Sequence, residues 1–166
     1  PRPGEQEGRD HFYVSLQQFQ DMLANYELLE YQEVHPGILY GTPRKQTKEG
    51  LEGNRKLIVD VDILGSQALQ REFPDHTTVI FLKPPSIEAL TDRLRMRGNL
   101  SDQELADRVH RAEFELDKAA SASYIISNDN LEQCIAEVTA LIRAEISNAD
   151  KNQHWASPDS VDRDDV

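Results

Sequence analysis

Three short apolar runs punctuate the chain: "KLIVDVDI" (56–63), "HTTVIFL" (76–82) and "SYIISND" (123–129). Each is short and rich in β-branched or aromatic residues. Such runs predict strands buried on both faces, as in a parallel sheet. Around them the pattern changes to helical spacing. "SLQQFQDMLAN" opens with Ser15 and Gln18, the spacing of a capping box. "SIEALTDRLRMRG" runs from Ser86 to a stop at Gly98, and "SDQELADRVHRAEFELDKAA" opens with a second box, Ser101 and Glu104. "NLEQCIAEVTALIRAEIS" sets Ile135, Val138, Leu141 and Ile142 at helical intervals. Strands alternating with helices predict an α/β domain with a parallel sheet flanked by helices.

Residues 5–46 break this rhythm. They are tyrosine-rich, with turns at "HPG" and "YGTP", and predict a small mixed α+β insert of strands and one helix at the sheet edge. Residues 147–166 are polar and acidic without periodicity, which predicts a disordered tail containing Trp155. The chain shows no internal repeat.

Composition narrows the function classes. The chain has 166 residues, suited to one domain, and a formal net charge of −12. An acidic balance argues against nonspecific nucleic-acid binding, which needs a basic footprint. No apolar run approaches the roughly 18 residues of a membrane span, so no membrane partner is expected. The single Cys134 excludes an internal disulfide and fits a reducing cytoplasm. His11, His35, His76, His110 and His154 show no metal spacing. The chain opens at Pro1 on a polar, turn-rich stretch, which raises the expectation that an N-terminal piece is missing.

Against that acidic background, five of the twelve arginines fall between 93 and 111: Arg93, Arg95, Arg97, Arg108 and Arg111. Arg93 and Arg97 are four apart on one helix, and Arg108 and Arg111 three apart on the next. Gly98-Asn99 is a natural hinge between them. Arginines on both sides of a hinge can close on phosphates. They can equally pair with Glu88, Asp92, Asp102, Glu104 or Asp107. Asp60 and Asp62 lie two apart, on one face of the expected strand, at the end where α/β folds bind ligands. Either could hold Mg²⁺ through water, and either could be a structural cap. Glu30 could accept two N–H bonds from a guanine edge, and Tyr40 could donate to a phosphate. As ordinary surface and turn residues they would need no ligand. Arg2, between two prolines, is held in a stiff extended segment that suits an anion contact or a plain linker.

Taken in order, "PRPGE … FYVS … LLEY … YGT … VDVD..G … F.KPPS … RL..RG … NDNLE" resembles the guanylate kinase family from residue 1 to about 146. The resemblance implies a P-loop kinase fold at 1–146, with a GMP-binding region at 5–46 and a helical LID at 93–120. It implies transfer of the γ-phosphoryl of ATP to GMP with Mg²⁺, by a cytoplasmic monomer or homodimer. It assigns Arg2, His11 and Tyr40 to the GMP phosphate, and Glu30 and Thr42 to the guanine. Asp60 and Asp62 fall at the metal and nucleotide end of the sheet. Arg97 and Arg108 become the LID arginines that stabilise the transferring phosphoryl, Arg93 faces the ATP phosphates, and Asn128 lies near the adenine.

The chain departs from the family pattern in three places. His11 stands where members usually carry tyrosine, and imidazole titrates near neutral pH. The loop "VHPGILYGT" is one residue longer than the commonest form. The P-loop, G-x-x-x-x-G-K-[ST], occurs nowhere in the 166 residues, so the sheet is expected to be incomplete and the chain alone inactive. A non-catalytic guanylate-kinase-like interaction module is the competing reading. A module freed from catalysis has no physical reason to keep Arg2, Asp60, Asp62, Arg97 and Arg108 together. A kinase of another small phosphorylated acceptor fits less well, because Glu30 and Thr42 match the guanine reader.

Overall fold

The computed structural model describes residues 4–35, 37–98 and 100–155, without the side chains of 34, 35, 97 and 151–155. Arg2 and residues 156–166 therefore lie outside the described residues. The chain divides into two compact units, residues 1–77 and 78–166.

The first unit is built on a hairpin. Helix α1 (Leu16–Ala24) starts at the expected box: the Gln18 N–H donates to Ser15 Oγ, and the Ser15 N–H donates to Gln18 Oε1. Strands β1 (Leu28–His35) and β2 (Ile38–Pro43) pair antiparallel, with Glu30 opposite Thr42 and Gln32 opposite Tyr40. Phe19 of α1 is buried and meets the Tyr31 ring edge-on at 6.5 Å. Gly41 permits that approach, since a Cβ there would lie 3.3 Å from the Phe19 ring and 2.8 Å from Leu28. Helices α2 (Arg44–Glu52) and α3 (Ile63–Glu72) complete the unit. Ile63, Ser66 and Leu69 bury one side of α3. Arg44 braces the hairpin: its Nε donates to the Tyr26 carbonyl at 3.1 Å, and its Nη1 pairs with Glu72 of α3.

The strand expected at 56–63 does not form. Residues 55–62 are irregular, and α3 begins at Ile63. Composition alone cannot make a strand, because the backbone needs a neighbour for its ladder. Leu57 packs on Gly50, while Ile58 stands 81% exposed.

The second unit holds the parallel sheet. Strands β3 (Ile80–Lys83) and β4 (Tyr124–Ser127) pair in parallel, Ile80 with Tyr124 through Lys83 with Ser127. Parallel neighbours need a long crossover. Here it is α4 (Ile87–Arg97) and α5 (Asp102–Lys118). Ser86 caps α4, and Ser101 with Glu104 forms the second capping box, both as the sequence predicts. Helix α6 (Leu131–Trp155) starts where Asn130 Oδ1 accepts the Gln133 N–H at 3.0 Å. Its buried face centres on Cys134, whereas Ile135 is 56% exposed. Glu145 of α6 accepts from Thr78 at 2.9 Å and from the Tyr124 hydroxyl at 3.0 Å. That hydrogen bond raises the Tyr124 pKa. Because α6 continues to Trp155, the first part of the expected tail is helical.

Candidate functional site

Alternation along a strand gathers the candidates of the first unit. Residues two apart share a face, and directly opposed residues share it across the pair. Glu30, Gln32, Tyr40 and Thr42 therefore line one face of the hairpin. The Thr42 hydroxyl donates to Glu30 Oε1 at 2.5 Å, which holds the half-buried carboxylate in place. The same face meets the start of α3. Gln32 Nε2 donates to Asp62 Oδ2 at 2.9 Å, and Asp62 Oδ1 accepts the Gly65 N–H at 2.7 Å as the helix cap. Gly65 makes room for this, since a Cβ there would lie 3.1 Å from Glu30 Oε2 and 3.2 Å from Asp62 Oδ1. A carboxylate beside a helix N-terminus is favoured by the helix dipole.

Tyr40 lies at the far end of this face, with its ring edge-on to His11 at 5.5 Å. His11 also meets Tyr13 at 5.9 Å, and its Nε2 lies 3.8 Å from Glu5. The loop before α1 is held by its own acids. The Tyr13 hydroxyl donates to Glu5 at 2.9 Å, and the Tyr13 N–H donates to Glu7 at 2.8 Å. Partial desolvation, then the Glu5 carboxylate, pushes the Tyr13 pKa up to about 12.

The two aspartates of "VDVD" separate in role. Asp62 is the cap of α3, with both oxygens engaged. Asp60 is exposed on the irregular stretch. No group of three or more His, Cys, Asp or Glu among the described residues could hold a metal ion.

In the second unit the arginines divide. Arg95 lies 3.6 Å from Asp92, and Arg111 lies 3.2 Å from Glu115. Arg93 turns inward: its Nη1 donates to the Asn128 carbonyl at 2.6 Å and its Nη2 to the Asp129 carbonyl at 3.0 Å. Arg108 is exposed, with no hydrogen bond or ion pair among the described residues. Arg97 ends α4, and its side chain lies outside the described residues. Gly98 follows in extended backbone.

Gln32, Gly65 and Arg44 were not anticipated from sequence. Gln32 was within reach, because it lies two residues from Glu30 on the same strand. The sequence carried no signal for Gly65 or Arg44, whose roles depend on contacts 28 to 35 residues away.

Residues 1–145 match the family model described as guanylate kinase. A guanylate kinase of Maricaulis maris is 35% identical over 145 residues, covering 87% of this chain and 66% of that protein. One of Trichodesmium erythraeum is 37% identical over 142 residues, covering 86% and 75%. A crystal structure of guanylate kinase from Anaplasma phagocytophilum superposes with a TM-score of 0.69 at 28% identity, covering 87% of this chain and 70% of that one. The chain thus spans about two thirds to three quarters of the length of these relatives. By the extent of these matches, the chain belongs to the guanylate kinase family.

Proposed function

We propose that the protein transfers the γ-phosphoryl of ATP to GMP, yielding ADP and GDP. One observation carries the acceptor assignment. Glu30 is held by Thr42 on a strand face shared with Gln32 and Tyr40. A fixed carboxylate accepts from guanine N1–H and the N2 amino group, and the Thr42 hydroxyl keeps its orientation. Adenine offers no such pair of donors. Tyr40 and its ring partner His11 supply a hydroxyl and an imidazole N–H for the 5′-phosphate. Arg2 adds a guanidinium to the same anion.

On the donor side, Asn128 contacts the adenine, and Arg97 and Arg108 meet the charge that develops on the transferring group. Catalysis of this kind is largely positioning and electrostatic stabilisation. Arg108 is exposed, and being uncommitted to another partner among the described residues supports that role. Asp60, also exposed, would hold Mg²⁺ through water, beside the capping Asp62. When bound, that ion would offset phosphate charge. The buried free thiol of Cys134 fits a cytoplasmic location.

The test is ADP release by the full-length protein with GMP, AMP, CMP and UMP as acceptors. GMP should be preferred strongly, and equal use of AMP would overturn the acceptor assignment. No G-x-x-x-x-G-K-[ST] occurs in the 166 residues, so this polypeptide by itself is expected to release no GMP-dependent ADP.

A further inference from the structure

Of the five clustered arginines, Arg93 has the least ordinary surroundings. Its guanidinium spends two donors on the carbonyls of successive residues, Asn128 at 2.6 Å and Asp129 at 3.0 Å, some 35 positions further along the chain. A salt-bridged surface arginine would look different, as Arg95 with Asp92 and Arg111 with Glu115 do. The turn it grips is short and held on other sides too. The Asn128 N–H donates to the Lys83 carbonyl at 2.8 Å, extending the β3–β4 ladder by one residue. Asn130 caps α6. Arg93 therefore fixes the turn from α4 while β3 and α6 fix its two ends.

We infer that Arg93 is a positioning residue for donor-base selection: by forking across the Asn128 and Asp129 carbonyls it presents the Asn128 carboxamide to the adenine. This rests on the reading of Asn128 as the base contact. With its carbonyl accepting from Arg93 and its N–H donating to Lys83, the side chain is the part of Asn128 not engaged by either bond. That carboxamide has no hydrogen bond among the described residues. It carries one acceptor and two donors, which complement an adenine amino group and its neighbouring ring nitrogen. Guanine reverses that pattern and is met only with the carboxamide turned over. Arginine suits the anchoring task because its planar fork places two parallel N–H groups, which a lysine ammonium does not.

Calorimetric titration of ATP and of GTP into the full-length protein tests this, with Arg93→Ala, Arg93→Lys, Asn128→Ala and the Arg93→Ala/Asn128→Ala double variant. Asn128→Ala should weaken ATP about tenfold and narrow the ATP-over-GTP preference by a similar factor. Arg93→Ala should do the same, Arg93→Lys should recover little, and the double variant should be no worse than either single one. Without ligand, the Asn128 amide should exchange faster in Arg93→Ala than in the parent. If Arg93→Ala weakens ATP and GTP equally, Arg93 meets phosphate directly and the inference falls. If Asn128→Ala narrows the preference but Arg93→Ala does not, the base reading stands and the positioning role is wrong. An unchanged preference in Asn128→Ala removes the base reading itself.

Discussion

The β1–β2 hairpin and the α4–α5 helices hold their candidate side chains in different ways. On the hairpin, Thr42 already holds Glu30 at 2.5 Å and Gln32 already reaches the helix cap Asp62 at 2.9 Å, with Gly65 leaving space beside both carboxylates. On the helices, Arg95 and Arg111 are tied to acidic neighbours on their own helix, Arg93 holds the 128–129 turn, and Arg108 is left to solvent. Under the proposed function, the contrast follows from what each would recognise. A guanine edge is the same before and after reaction, so its reader gains from being rigid beforehand. Charge on a transferring phosphoryl exists only in passing, and groups that meet it act mainly in the transition state. Five arginines held together without a ligand would also repel one another.

Mutations can break this contrast in order of size. Arg108→Ala in the full-length protein should lower kcat by about 10²-fold or more, since comparable arginine contacts supply about 10³–10⁵. The GMP Kd should move less than about threefold. Stopped-flow turnover beside GMP titration measures both, and a lost GMP affinity with intact kcat would place Arg108 with the rigid group instead. Glu30→Gln should weaken GMP at least about tenfold and narrow the GMP-over-AMP ratio, because it replaces an acceptor with a donor against guanine N–H groups. An unchanged ratio counts against prebuilt recognition.

Gly65→Ala sharpens the comparison, because it touches neither ligand nor catalytic group. Its Cβ would crowd Glu30 Oε2 at 3.1 Å. GMP should bind about fivefold more weakly, roughly 1 kcal/mol of overpacking, with kcat at saturating GMP little changed. Unaltered GMP affinity would mean that the Glu30 carboxylate tolerates displacement. The smallest effect lies in the loop before α1. The Tyr13 pKa is raised from 10.0 to about 12, so the neutral hydroxyl contributes fully below pH 10 and its contribution is lost as pH climbs toward 12. Thermal midpoints of the parent and Tyr13→Phe should differ below pH 10 and converge above it. Parallel curves through that range would show that the Glu5 contact adds nothing.

The helix starts were legible because capping is local: Ser15 with Gln18 and Ser101 with Glu104 name their own partners three residues away. So were β3 and β4, whose apolar runs find each other. The strand at 56–63 was misread for the converse reason, since its residues have strand composition but no paired backbone among the described residues. In the site, Glu30 was already a possible guanine acceptor, Thr42 came from the family resemblance, and the register then supplied the physical reason for their meeting. Asp62 was seen as half of an acidic pair, yet its neighbour Gln32 and its helix decide its task. Arg93 shows the limit of reasoning from charge. A guanidinium in a basic cluster suggests an anion, and nothing in its charge announces the two carbonyls, far along the chain, that it meets in the fold.

The irregular stretch before α3 has a consequence for handling the polypeptide. Leu57, Ile58 and Val59 are 42%, 81% and 38% exposed, three consecutive apolar residues of which two are β-branched. Segments of this kind pair readily with copies of themselves, and at high concentration such pairing ends in precipitation. A solution of these 166 residues should therefore scatter light increasingly as it is concentrated. A lysine in place of Ile58 would interrupt the run with a charge and raise the concentration at which that begins.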